Sequence, residues 1–104
     1  MKGESVLTLH NEFREQIQHI TTLSRQVNGN DKQKILDMIK EHTKEIQHLY
    51  NENNTHWAIE TADLIVLCYE LLLMEDIDID EVFNKCLPRF DKKLNQMLKE
   101  GKSK

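Results

Sequence analysis

His42 and Asp63 lie equally far from the polar stretch Asn51-Glu52-Asn53-Asn54, and so do Glu45 and Glu60. If that stretch turns the chain between two antiparallel helices, each pair stands level across the hairpin. Residues three apart share a helix face, so His42 and Glu45 would meet Glu60 and Asp63 as three carboxylates and an imidazole. Glu41 adds a fourth carboxylate beside them. Two carboxylates about 4 Å apart repel by roughly 4 kcal/mol at an effective dielectric near 20, and such a group stays ionised when a cation occupies it. The spacing therefore predicts a divalent-metal site. Mg²⁺ prefers hard oxygen donors and keeps several waters, which leaves room for the phosphates of a substrate. The competing reading makes Glu41 and Glu45 a solvated face, and Glu60 and Asp63 favourable negative charges at a helix start.

The elements that must position these residues are helical. Val6, Leu9, Phe13, Ile17, Ile20, Leu23 and Val27 recur at steps of three or four, which predicts a first helix from an N-cap at Ser5 to Asn28-Gly29-Asn30. A second is expected from after Asp31 to about Tyr50, with Ile35, Met38, Ile39, Ile46 and Leu49 as its apolar face and His42 and Glu45 on that same face. Polar groups at core-facing steps need partners, because burying an unpaired charge costs far more than a methyl group gains. A third helix is expected to start near Asn54 or Thr55. It contains the run Leu64 to Met74, apolar almost all round and so covered by other helices or by a partner subunit. The fourth is announced by Asp78-Ile-Asp-Glu81, a capping-box pattern flanked by Ile77 and Val82 as a hydrophobic staple. Pro88 is expected to kink or divide it. Residues 1–4 and 100–104 are expected to fray.

Composition supports one all-α domain over residues 1–104. The chain has only three Gly and one Pro, and its length suits one core. The net charge of −4 argues against nucleic acid as the main partner, because phosphate-binding surfaces carry a basic excess. No apolar run is long enough to span a membrane, since Glu70 interrupts the longest. The start shows no signal-peptide pattern. Cys68 and Cys86 have no zinc-motif spacing and are expected to pack as small apolar side chains in a reducing cytoplasm.

Glu41-His-Thr-Lys-Glu45 followed by Glu60-Thr-Ala-Asp63 resembles the Glu-Glu-x-x-Glu…Glu-x-x-Asp signature of the MazG-like all-α nucleoside triphosphate pyrophosphohydrolases. The similarity spans roughly residues 35 to 91 and departs from the pattern at His42, where the family has a second Glu. It implies a four-helix bundle protomer in which Glu41, Glu45, Glu60 and Asp63 hold Mg²⁺ or Mn²⁺, with His42 as a possible further ligand. It also implies hydrolysis of a nucleoside triphosphate to monophosphate and pyrophosphate, and the near-uniformly apolar third helix leads us to expect a homodimer or tetramer. Lys85 and Arg89, an i,i+4 pair on the closing helix, could face a triphosphate, and Trp57 could stack on a base; each is also explicable as surface or packing. Imidazole is a poor Mg²⁺ ligand but suits Mn²⁺ or Zn²⁺. Two rival readings therefore stand beside the hydrolase: a nucleotide- or metal-binding regulator without turnover, and a helical interaction module.

Overall fold

The structure is a computed structural model that describes residues 2–101, with side chains from residue 12 onward. Its four helices are α1 (Lys2–Asn28), α2 (Lys32–Asn51), α3 (Trp57–Met74) and α4 (Ile79–Lys99). No strand occurs among the described residues. The expected all-α, four-helix architecture is therefore present.

Each helix end has a local cause. Gly29, at φ +74°, ends α1, with its N–H donating to the Arg25 carbonyl at 2.7 Å. The Asp31 carboxylate then caps α2 by accepting from Lys34 N at 3.1 Å. At the far end of α2, Asn54 N donates to Leu49 O at 2.9 Å and Asn53 N to Tyr50 O at 3.1 Å, while Asn53 takes φ +59°. This is a Schellman turn with Asn in the left-handed position. The pattern repeats after α3. Ile77 N bonds Leu72 O, Asp76 N bonds Leu73 O, and Asp76 sits at φ +56°.

Several boundaries differ from expectation. α1 begins at Lys2, so Ser5 lies inside it instead of capping it; the side chains of Val6 and Leu9 lie outside the described set. The ordered helix α3 begins at Trp57, because Asn54 to His56 form a tight turn closed by Asn54 Oδ1, which accepts from His56 N at 2.9 Å. Asp78 caps α4 by accepting from Asp80 N at 3.0 Å. Pro88 does not divide α4, which runs on as one helix. Proline removes one backbone donor, and at an exposed position that leaves the rest of the ladder intact. Lys102 to Lys104 lie outside the described residues.

The core is small and three-helical. Ile17 and Thr21 of α1, Ile35 and Leu49 of α2, and Leu67, Tyr69 and Glu70 of α3 are buried. α2 and α3 form the closest pairing, an antiparallel hairpin, and α1 packs against α3. α4 has no buried residue. Its stripe of Phe83, Leu87, Phe90, Leu94 and Leu98 is 48–63% exposed. Arg14 ties α1 to the first turn of α4 through two hydrogen bonds to Asp80, at 3.1 and 2.9 Å. The bonded carboxylate raises the guanidinium above its ordinary value, first by hydrogen bonding and then by charge. Cys68 is exposed and lines an apolar groove between α1, α3 and α4, contrary to the expectation that it packs inside; Cys86 is half-buried. Both cysteines are free.

Candidate metal centre

The α2–α3 hairpin brings an imidazole and two carboxylates to one point. One ligand atom each from His42, Glu60 and Asp63 lies within 4.8 Å of the others. His42 Nε2 stands 3.4 Å from Glu60 Oε1, with both side chains about four-fifths shielded. The other ring nitrogen, Nδ1, is 2.9 Å from the carbonyl oxygen of Met38, one turn back on α2. Glu60 is engaged on both sides, since His56 Nε2 lies 3.4 Å from its Oε2.

The buried stripe of α2 explains which residues join. Ile35, Met38, Ile39, His42, Ile46 and Leu49 step along the face turned to α3, all buried or half-buried. Glu45 precedes Ile46 by one residue, a rotation of roughly 100°, and is exposed. It therefore does not share the inner face on which it was expected. Glu41 is also exposed, and its Oε2 lies 3.9 Å from Lys44 Nζ. Neither belongs to the group around His42.

The other expected residues have separate surroundings. Trp57, half-buried at the start of α3, packs edge-on against Tyr50, with ring centroids 5.4 Å apart at 70°. Arg89 lines a shallow cavity of about 400 Å³ along α4 with Cys86, Phe90, Lys92, Lys93 and Gln96, while Lys85 is simply exposed. Neither is part of the ligand group.

Two residues matter more than the sequence suggested. His56 shows no spacing to the other histidines, but it is four residues before Glu60, and that i,i+4 step was the available clue. Glu70 is 1% exposed, and its Oε2 has no hydrogen-bond partner among the described residues. A charged residue within the most apolar run was the visible sign of it.

The arrangement fits a divalent cation. Ligand atoms about 2.1 Å from a common ion stand roughly 3.0–3.5 Å apart at octahedral or tetrahedral angles, and the His42–Glu60 separation of 3.4 Å falls in that range. Two carboxylates supply the negative charge, and the shielded imidazole gives the site a fixed wall.

A family model described as phosphoribosyl-ATP pyrophosphohydrolase matches residues 6–89, a span that contains α2, the hairpin, α3 and the whole cluster. No curated protein and no solved structure matches the chain significantly.

Proposed function

We propose, since this chain belongs to the phosphoribosyl-ATP pyrophosphohydrolase family, that it is a divalent-metal-dependent pyrophosphohydrolase acting on nucleoside triphosphates. Membership carries pyrophosphohydrolase chemistry on a nucleotide; the MazG-like choice of substrate is our addition. The observation behind it is the convergence of His42, Glu60 and Asp63 within 4.8 Å between α2 and α3.

Glu60 and Asp63 would hold the cation, with His42 closing the inner side. When bound, the ion neutralises phosphate charge and makes a coordinated water more acidic. In the reaction an oxygen–phosphorus bond forms between water and the α-phosphorus, the bond from that phosphorus to the bridging oxygen breaks, and pyrophosphate leaves. Glu41 and Glu45 flank the cluster as exposed carboxylates, within reach of solvent as proton acceptors. The Met38 carbonyl keeps the His42 ring from turning, and His56 braces the outer oxygen of Glu60. Lys85 and Arg89 are assigned to the triphosphate and Trp57 to the base, following the resemblance of the signature.

We assign the working unit to a homodimer or a tetramer. The chain exposes 8477 Å², whereas a compact monomer of 12.3 kDa exposes about 6,100 Å². The excess, about 2,400 Å² per chain, is of the size that obligate interfaces bury. The exposed stripe of α4 is an apolar part of that surface.

A regulator without turnover is the second reading, favoured by the exposure of Glu41 and Glu45, which leaves fewer assembled oxygen donors than the MazG-like signature implies. Incubating purified protein with a panel of nucleoside triphosphates and phosphoribosyl-ATP, in Mg²⁺ and in Mn²⁺, tests both. Divalent-dependent release of pyrophosphate is expected. Tight binding of nucleotide with no pyrophosphate would select the regulator.

A further inference from the structure

The atoms that face the cluster also discriminate between ions. A carbonyl oxygen only accepts hydrogen bonds, so the 2.9 Å contact with Met38 makes Nδ1 of His42 the donor there and fixes the ring's orientation. Nε2 is then the ring atom turned to the cluster, 3.4 Å from Glu60 Oε1. A cation placed between them would take Nε2 and the carboxylate oxygen as two donors to one ion. One ring nitrogen fixed on a backbone carbonyl, the other turned to carboxylates, is the arrangement by which proteins aim histidines at metals.

The imidazole is what tells against Mg²⁺, since two carboxylates with waters completing the shell would suit that ion. Glu41 and Glu45 are exposed and outside the group, which leaves only Glu60 and Asp63 as carboxylate donors. Mg²⁺ demands oxygen ligands in near-octahedral order, whereas imidazole with carboxylate suits first-row transition ions. Glu60 is also pre-aimed: His56 Nε2 occupies the side of Oε2, which turns Oε1 toward His42.

Resting on the reading that the cluster holds a cation, we infer that it is a mixed nitrogen–oxygen centre with His42 Nε2 as a ligand, taking a transition ion of the Mn²⁺ or Zn²⁺ class ahead of Mg²⁺. His56 is a positioning residue that braces Glu60.

Mn²⁺ is the probe, added to metal-free full-length protein and followed by electron paramagnetic resonance. The bound ion is expected to show nitrogen modulation in its spin echo and to bind at least tenfold tighter than Mg²⁺ in competition. His42→Glu should abolish the modulation and narrow the Mn²⁺/Mg²⁺ ratio by about tenfold. His42→Gln, which adds no charge, should also abolish the modulation and serves if the first variant does not fold. His56→Gln should retain it. Mn²⁺ bound without nitrogen modulation, or modulation lost in His56→Gln and kept in His42→Gln, would overturn the inference and leave the cation reading in place. No binding of Mn²⁺, Zn²⁺ or Mg²⁺ at millimolar concentration would overturn both.

Discussion

His56 Nε2 lies 3.4 Å from Glu60 Oε2, across the turn that starts α3 and on the opposite side of the carboxylate from His42. The contact joins an exposed residue to a shielded one, so its effect should fall on the orientation of Glu60 more than on folding. His56→Ala is expected to weaken Mn²⁺ binding about tenfold, as loss of a ligand's supporting partner does. The melting temperature without metal should barely change. Calorimetric titration with a parallel thermal melt separates the two effects; equal affinity in variant and native protein would remove His56 from the site.

Glu70 sits two turns beyond Asp63 on α3, in the core, with Oε2 lacking a hydrogen-bond partner among the described residues. A buried carboxylate left partly unsatisfied costs stability, and an apolar side chain of similar size removes that cost. Glu70→Leu is therefore expected to stabilise the protein by about 1 kcal/mol or more, or roughly 4–8 °C in melting temperature for a domain of this size. Thermal denaturation checks it. A lower melting temperature would mean that Glu70 has a favourable role in the native state.

Asn53, at φ +59°, closes the hairpin that sets His42 against Glu60. Glycine adopts that conformation freely and a β-branched residue resists it. Asn53→Gly should be close to neutral, while Asn53→Val should cost about 1–2 kcal/mol and weaken metal binding in parallel. Chemical denaturation of the pair provides the comparison; equal stability of both variants would show that the turn does not hold the register.

Much of this was legible in the chain. The four helices follow from apolar periodicity, and the hairpin from a polar stretch at the centre of two symmetric pairs. Asp31 and Asp78 cap where short acceptors precede apolar runs. What did not follow was the angle of each side chain about its helix. Periodicity put His42 and Glu45 on one face, yet a single step relative to Ile46 decides burial, and Glu45 falls outside. Ser5 looked like a cap because a short polar residue before an apolar stripe usually is one, but the helix extends past it. Pro88 looked like a break because proline forfeits one hydrogen bond, which an exposed helix tolerates. The unmet side of Glu70 could not be read at all, since it depends on which polar groups the packing brings to it.

The exposed stripe of α4 leads to a prediction about assembly. Leu87 and Leu94 are 60% and 54% exposed and lie two turns apart on one face. Light scattering of the native protein at micromolar concentration should give a multiple of 12.3 kDa. Leu94→Glu should lower that mass toward a single chain while helix content by circular dichroism is kept. A native protein that is monomeric at that concentration would refute self-association through α4.

The central claim is that a water attacks the α-phosphorus of a nucleoside triphosphate under the charge of a cation held by Glu60 and Asp63. Hydrolysis in ¹⁸O-labelled water with Mn²⁺, with both products weighed by mass spectrometry, tests it most directly. The account predicts one ¹⁸O in the nucleoside monophosphate, unlabelled pyrophosphate, and a rate at least a hundredfold lower for Asp63→Asn. Label in pyrophosphate, release of orthophosphate instead, or equal rates for native protein and variant would contradict it.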